Sequence, residues 1–310
     1  MADRYSRKIG LGSKGNTLVL LLAIIVVVFC VFTFIHLAFR LSFDDKDAAN
    51  AAFYSGIFDW FRLPSDLNLL VSKPWTVFTY MFMHDSVFHM IGNIIWLWVF
   101  GYILQDLTGN KTIIPLFIYG GLCGAVMFVA SMNIFPGLKQ ENTVFTLEGA
   151  SAGVMAISIA TTVLAPNYRF FPMINGGIPL WVITVIYAVI DFAMIAKDSN
   201  AGGHISHIGG GLFGLLFMWQ YRKGNDWSAG MNKFFDWFDN LFNPNKNSGQ
   251  KPAKKEYHYD TSGAQPYKKI PHLTQKRIDA ILDKIGEKGY HQLTEEEKQI
   301  LKRAAEDDNL

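Results

Sequence analysis

The segment LVLLLAIIVVVFCVFTFIHLAF, residues 18–39, contains no Asp, Glu, Lys or Arg. A helix needs about 20 apolar residues to cross the hydrocarbon core of a bilayer, and this segment is long enough. It runs on into Arg40-Leu41-Ser42 without a small-residue cleavage site, so we interpret it as a retained membrane span rather than a signal peptide. The segment therefore predicts an integral membrane protein.

The composition of the 310-residue chain supports the same class. Hydrophobic residues make up 50% and charged residues 17%, whereas soluble domains carry about a quarter charged residues. The 28 basic and 26 acidic residues leave a formal net charge of +2 with no basic stripe, so we expect no nucleic acid partner. Cys30 and Cys123 lie in apolar runs, and we interpret them as small buried residues rather than as a disulfide framework.

Five further apolar stretches follow the first one. The six predicted spans lie near residues 17–39, 86–105, 112–132, 149–166, 179–196 and 204–221. Lys and Arg are concentrated before the first span and after the last, which places both ends of the chain on the cytoplasmic side. The predicted fold class is an all-α polytopic membrane protein, a six-helix bundle with a small cytoplasmic helical tail.

Polar side chains recur near the outer ends of the second, fourth and sixth spans, which all run inward from the outer side. They are His89 and Asn93 in the second span, Ser151 in the fourth and His207 in the sixth. Ionisable or nucleophilic side chains are costly inside a membrane and usually mark a functional site. The topology alone therefore predicts that these four side chains meet at one depth.

Ser151 lies in Gly149-Ala150-Ser151-Ala152-Gly153, which matches the G-x-S-x-G pattern of soluble hydrolases. That pattern needs a preceding strand, and here a membrane helix begins instead, so the interpretation fails. What remains is a serine at a helix N-terminus, where free amide groups favour a developing anion. Gly210 and Gly214 in the sixth span form a small-xxx-small face, and packing of the fourth span on it would bring Ser151 to His207 as a general base.

Together these residues resemble the rhomboid family of intramembrane serine proteases. The matching motifs are His89-x-x-x-Asn93, Gly149-x-Ser151 and His207-x-x-Gly210-x-x-x-Gly214, and the resemblance covers roughly residues 17–222. It implies a six-helix rhomboid-like bundle with a dyad in which Ser151 is the nucleophile and His207 the general base. It also implies an oxyanion hole formed by His89, Asn93 and the amide of Ser151, with Gly149, Gly210 and Gly214 as helix-packing glycines.

Three positions depart from the usual family pattern. Ala152 stands where the family has glycine after the serine, and Met155 stands where an aromatic commonly stacks on the histidine. In the first outer loop, Trp75-Thr76 keeps only half of a Trp-Arg pair, which puts the anchoring of that loop in doubt.

Asp191, in the fifth predicted span, could orient His207, but a snorkelling or cavity-facing carboxylate is the favoured interpretation. His84 and His204 join His89 and His207 near the outer face, which raises the alternative of a metal site. No acidic or thiolate ligand accompanies the four histidines at a recognised spacing, so we expect neither a metal nor another cofactor.

Four regions are predicted along the chain: a cytoplasmic N-terminus at 1–16, a rhomboid-like protease domain at 17–222, an amphipathic helix and linker at 223–269, and a helical hairpin at 270–310. The second helix of the hairpin opens on a capping box of Thr294 and Glu297. Docking of the tail on the body and docking on a cytoplasmic partner are both open.

The resemblance implies a serine-type endopeptidase that cleaves transmembrane protein substrates near the outer face of the lipid bilayer. The expected location is a multi-pass position in the bacterial inner membrane. One alternative is a catalytically inactive rhomboid-like protein that binds membrane clients. A transporter that uses the polar cluster as a permeation site is a further alternative, although it predicts internal repeats that the sequence does not have.

Overall fold

A computed structural model describes residues 16–138, 143–170, 177–196, 200–241 and 275–306. Within these ranges the chain is built mainly of helices, which confirms the all-α class. They are α1 (Thr17–Ser42), α2 (Lys46–Gly56), α3 (Leu67–Ser72), α4 (Thr76–Thr79), α5 (Val87–Thr108), α6 (Ile113–Ile134), α7 (Ser151–Leu164), α8 (Leu180–Met194), α9 (Ala201–Arg222), α10 (Ser228–Leu241), α11 (Gln275–Lys288) and α12 (Glu295–Glu306). The basic segment before the first span and the linker predicted up to residue 269 lie outside the described residues.

Six of these helices correspond to the predicted spans: α1, α5, α6, α7, α8 and α9. Three described stretches are long and apolar enough to cross a membrane, namely Thr17–Ser42, Val87–Thr108 and Asn110–Ile134. The helices α7 and α8 are shorter and apolar, with 14 and 15 residues, and α9 has 22. The protein is therefore a helical membrane protein.

The first span shows why this bundle needs a membrane. Its buried residues Leu18, Leu21, Ile25 and Phe29 recur at helical spacing and pack on the core. On its other side Val27 and Phe34 are 60% and 70% exposed. A continuous exposed apolar face of this kind is unfavourable in water and ordinary against lipid chains.

At the centre of the bundle, α7 packs against α5, α6 and α9. Its side chains are mostly small, and Ala152 and Ala156 form a stripe that lets two neighbouring helices approach closely. On one side α6 crosses antiparallel, with Gly124 against Ala152 and Gly120 against Ala156. On another side α9 packs against the same stripe, with Gly210 at Ala152. Because α6 and α9 both contact the start of α7, Ser151 is held in a defined position.

The loop between α1 and α5 is pinned to the segment that leads into Ser151. Its strand β1 (Leu63–Pro64) pairs antiparallel with β2 (Thr146–Leu147), and Leu63 stands opposite Leu147. Ser65 extends the pairing, since its N–H donates to the Phe145 carbonyl at 2.8 Å. A second pair, β3 (Arg169–Phe170) with β4 (Ile178–Pro179), lies between α7 and α8.

The chain divides into two compact units, residues 1–246 and 247–310. The second unit has a small core of its own, to which Ile278, Ile281, Leu293 and Ile300 contribute. Its capping box is present as expected. The Thr294 N–H donates to Glu297 Oε2 at 2.8 Å, and the Glu297 N–H donates to Thr294 Oγ at 3.3 Å.

Candidate active site

Ser151 is the first residue of α7 and is 8% exposed. The turn before it is held by two hydrogen bonds: the Gly149 N–H donates to the Tyr80 carbonyl at 2.9 Å, and the Ala150 N–H donates to His84 Nε2 at 3.3 Å. Among the described residues nothing accepts a hydrogen bond from the Ser151 N–H, and Ala150 offers no side-chain cap. The helix therefore begins with a free donor next to the serine hydroxyl, which favours an anion there.

His84, which the sequence analysis considered only as a candidate metal ligand, supports this turn through its imidazole. Its ring is 2% exposed, and its Nδ1 lies 3.4 Å from the Phe82 carbonyl while Nε2 accepts from Ala150. Burial, assisted by the nearby His89, lowers the pKa of His84 to about 4. The ring is therefore neutral at physiological pH, as an acceptor for a backbone amide must be.

Gly149 lies between the imidazole of His89 and Ser151. Its φ is +112°, a conformation that residues with a β-carbon rarely adopt. A β-carbon at this position would lie 2.9 Å from His89 Nε2 and 3.7 Å from Ser151 Oγ. The expectation that Gly149 packs two helices together therefore needs correction, because it lies before α7 and makes room for the His89 ring beside the serine.

Asn93 lies one turn beyond His89 on the same face of α5 and is 6% exposed. One proton of its side-chain amide is donated to the His89 carbonyl at 3.0 Å. Because the amide group carries two N–H donors, the second is available to a ligand. This arrangement suits the predicted contribution of Asn93 to an oxyanion hole.

The crossing of α7 and α9 aligns the serine with His207. A β-carbon at Gly210 would lie 2.0 Å from the Ala152 carbonyl oxygen, and one at Gly214 would lie 2.2 Å from that of Ala156. The helices therefore run parallel with their backbones in contact, and His207, one turn before Gly210, lies near the level of Ser151.

No hydrogen bond joins Ser151 and His207 among the described residues. Catalytic hydrogen bonds are often long or poorly aligned before substrate binds. Without a hydrogen bond between the two side chains, the dyad assignment stays a prediction. Met155, which stands where the family commonly has an aromatic stacked on the histidine, has its Cγ 3.3 Å from the β-carbon position of Gly211.

Asp191 lies beside the two histidines of α9, whereas its position in the sequence favoured a snorkelling or cavity-facing carboxylate. Its side chain is 4% exposed, and its Oδ1 lies 2.8 Å from His207 Nδ1 and 2.6 Å from His204 Nδ1. The snorkelling interpretation is wrong, because the carboxylate is enclosed and turned towards the neighbouring helix. The i, i+3 spacing of His204 and His207 was the sequence signal for a shared partner on that face.

Asp191, His204 and His207 offer metal-ligand atoms that lie within 4.8 Å of one another. An acidic side chain therefore does lie beside two of the histidines, although no recognised sequence spacing indicated it. In a tetrahedral zinc site with bonds of about 2.0 Å, neighbouring ligand atoms lie about 3.3 Å apart. The measured nitrogen-to-oxygen distances of 2.6 and 2.8 Å are shorter and are typical of hydrogen bonds.

Arg62 anchors the first outer loop near the serine. Its guanidinium contacts the carboxylate of Asp59, lies over the Phe58 ring at 5.2 Å and reaches Glu148 Oε2 at 3.6 Å. The sequence placed this anchor in doubt because Thr76 stands where the family has arginine. In this chain Arg62, from an earlier part of the same loop, makes the anchoring contacts instead.

Glu148 couples this loop to the turn before Ser151. One of its oxygens accepts the Asp85 N–H at 3.1 Å. Burial raises the pKa of Glu148 to about 7, against the opposing effect of Arg62. The carboxyl therefore titrates near neutral pH within three residues of the candidate nucleophile.

Comparison with known proteins finds two family models that match parts of the chain. Residues 71–224 match a family model described as a rhomboid domain. Residues 266–307, in the tail, match a second model, described as a family of unknown function (DUF6576).

Three relatives illustrate the range of similar proteins. The inactive rhomboid-related protein 2 of Caenorhabditis elegans is 25% identical over 64% of this chain and 55% of its own length. The mitochondrial presenilin-associated rhomboid-like protein A of Danio rerio is 26% identical over 44% of this chain and 35% of its own. The mitochondrial rhomboid protein 1 of Saccharomyces cerevisiae is 23% identical over 46% and 40%. The matches thus span about a third to just over half of these relatives.

Proposed function

The chain belongs to the rhomboid family through residues 71–224, and we propose that it is an intramembrane serine endopeptidase with transmembrane proteins as substrates. The observation that carries the proposal is the contact between Gly210 and Ala152, which sets His207 near the level of Ser151. Acyl transfer requires a nucleophile, a general base and hydrogen-bond donors for the oxyanion, and a serine, a histidine and the donors around them can fill these roles.

In the proposed reaction, His207 removes the proton from the Ser151 hydroxyl through Nε2 as the oxygen attacks the scissile carbonyl. The Nδ1 of this histidine is occupied by a carboxylate at 2.8 Å, so Nε2 is the nitrogen left for the serine. The same histidine then gives the proton to the leaving amine, and a water molecule hydrolyses the acyl-enzyme.

The developing oxyanion would be stabilised by three donors: the Ser151 N–H, the second amide proton of Asn93 and the imidazole of His89. The Ser151 amide has no acceptor among the described residues, and the His89 ring lies across Gly149 from the serine. Fixed donors at this position are often the largest single contribution to acyl transfer.

The length of α7 supports cleavage near one membrane surface. Its 14 residues span about 21 Å, which is less than the about 30 Å of a bilayer core. We expect so short a helix to leave its first residue below one surface of the bilayer. If both ends of the chain are cytoplasmic, as the distribution of Lys and Arg predicts, that surface is the outer one. The bacterial inner membrane expected from the sequence finds no support in the relatives above, which are eukaryotic.

An inactive rhomboid that binds membrane clients is the alternative, and it is favoured by the name of the C. elegans relative. The presence of both Ser151 and His207 in this chain argues for activity. Reconstituted full-length protein would be assayed on a transmembrane substrate, with Ser151→Ala as the test variant and Ser158→Ala as its matched control. Ser158 lies two turns further along α7, fully buried, and donates to the Val154 carbonyl at 2.9 Å.

A protease loses all cleavage in Ser151→Ala and keeps it in Ser158→Ala. Cleavage that survives in Ser151→Ala excludes the proposed nucleophile. A folded wild type that binds the substrate without cleaving it supports the inactive alternative.

A further inference from the structure

The carboxylate of Asp191 is shared by two histidines of α9. Its Oδ1 lies 2.8 Å from His207 Nδ1 and 2.6 Å from His204 Nδ1, and the two imidazole rings meet edge to face at 5.8 Å. His204 and His207 are 15% and 14% exposed, so the group is largely withdrawn from solvent. A family dyad needs only the serine and the histidine, and this carboxylate is additional to it.

We propose that Asp191 is a positioning residue that orients His207, so that the site works as a serine–histidine–aspartate triad within the membrane. The inference rests on the proposed protease function and extends it to a third residue. A carboxylate accepts hydrogen bonds and does not donate them, so His207 must carry its proton on Nδ1. Its Nε2 then presents a lone pair, which is the form of the ring that can accept the Ser151 proton.

Position and enclosure make Asp191 suited to this task. The carboxylate cannot exchange its histidine partners for water, because it is 4% exposed, and its Oδ2 has no hydrogen-bond partner among the described residues. His204 holds the accepting oxygen from a second direction, which restricts rotation of the carboxylate. A hydrogen bond in such surroundings fixes the imidazole ring more firmly than one exposed to water.

The helix that carries Asp191 is tied to α7 at another point. Thr184 lies seven residues before Asp191 on α8 and is 3% exposed. Its hydroxyl is hydrogen-bonded to the hydroxyl of Thr162 on α7, with the two oxygens 2.6 Å apart. This polar contact is partly buried and lies about two helical turns from Asp191 along α8. Thr184 therefore provides a control for the general packing of α8.

The first test compares Asp191→Asn, Asp191→Glu and Thr184→Val in full-length protein reconstituted into liposomes. We expect Asp191→Asn to lower kcat by about 10² to 10⁴-fold with KM within about twofold, because an amide no longer selects the required form of the ring. Asp191→Glu should recover at least about tenfold of that loss. Thr184→Val should lower the thermal unfolding temperature and keep kcat near the wild-type value.

The second test needs no variant and reads the proton position directly. Nitrogen NMR of histidine-labelled wild-type protein at neutral pH should show His207 protonated at Nδ1 and bare at Nε2. The opposite form of the ring overturns the proposal, even if the Asp191 variants fail to fold.

Other results also exclude a positioning role. Wild-type kcat in Asp191→Asn excludes it, and so does a loss that Thr184→Val reproduces. Activity that is lost on treatment with a chelator and restored by Zn²⁺ would assign the three side chains to a metal instead. An inactive wild type, indistinguishable from Ser151→Ala, refutes the protease function itself and the triad with it, whereas an active wild type with an unaffected Asp191→Asn refutes the triad alone.

Discussion

Gly210 touches the backbone of Ala152 so closely that a β-carbon on residue 210 would lie 2.0 Å from the Ala152 carbonyl oxygen. Real β-carbons do not approach an oxygen to this distance, so only glycine permits the crossing of α7 and α9 seen here. Since Ala152 follows Ser151 and Gly210 follows His207 by one turn, the same contact determines the spacing of the proposed dyad.

Gly210→Ala should therefore reduce stability and activity together. Backbone cannot yield as a side chain can, so the helices must separate, at a cost of about 1–3 kcal/mol in the free energy of unfolding. We expect kcat to fall as His207 moves away from Ser151. Gly211→Ala is the matched control, because its new methyl would meet only side-chain atoms of Met155 and Ile159 at 3.3 and 3.4 Å. Equal effects of the two substitutions in cleavage and unfolding assays would contradict this account.

Asn93→Ala should lower kcat by about 10²–10³-fold, because it removes a donor to the oxyanion. The variant also loses the hydrogen bond to the His89 carbonyl, which alone would affect stability only. Thr108→Val, at the other end of α5, removes a similar bond to the Leu104 carbonyl at 2.8 Å and serves as control. Cleavage kinetics that decline alike in both variants would remove Asn93 from the proposed oxyanion hole.

Glu148 should make stability depend on pH. Burial raises its pKa from 4.5 to about 7 on folding. The contribution of the protonated carboxyl is therefore complete below about pH 4.5 and is lost as the pH rises to about 7. Glu148→Gln keeps an acceptor for the Asp85 N–H and cannot ionise, so wild type should lose up to about 3 kcal/mol relative to it across this range. The free energy of unfolding of both proteins would be measured at several pH values. If it changes equally with pH in wild type and in Glu148→Gln, Glu148 does not titrate in this range.

Tyr187 of α8 stacks on Trp96 of α5, with ring centroids 4.7 Å apart. Because α5 carries His89 and Asn93 and α8 carries Asp191, we expect a substrate that enters between these two helices to separate the stacked rings. Tyr187→Val is expected to raise kcat/KM for a transmembrane substrate several-fold, since an aromatic pair contributes about 1 kcal/mol. The rate at which a small reagent labels Ser151 should be the same in Tyr187→Val as in wild type.

Trp181→Leu, at an exposed position of the same helix, is the control for this prediction. If Tyr187→Val slows cleavage, or changes the labelling rate by the same factor, the stack does not control entry.

The fold was largely accessible from the sequence, because each span is a run of apolar residues whose length reports on the bilayer. The order of the spans then predicted that His89, Asn93, Ser151 and His207 approach one depth. Hydropathy indicates which segments lie in lipid and where each segment enters and leaves it. Each segment carries this information in its own residues. This is why the six helices fall close to the predicted ranges.

Contacts that depend on helix rotation or on loops were not accessible in this way. Asp191 is the one charged residue of the mostly apolar helix α8, so hydropathy alone left the rotation of this helix, and with it the contact of Asp191 with His207, undecided. Arg62 and Glu148 meet only because β1 pairs with β2 across 80 or so residues of chain, and no periodic pattern records that pairing. His84 supports Ala150 through a single long-range hydrogen bond.

The proposed protease requires an activated nucleophile at Ser151, which covalent labelling with a fluorophosphonate would detect. Reconstituted wild-type protein would be treated with the reagent, digested and mapped by mass spectrometry, with Ser151→Ala and Ser158→Ala treated in parallel. We expect one adduct on Ser151, absent from Ser151→Ala and retained in Ser158→Ala. A folded wild type that stays unlabelled, or an adduct on a different serine, would contradict it.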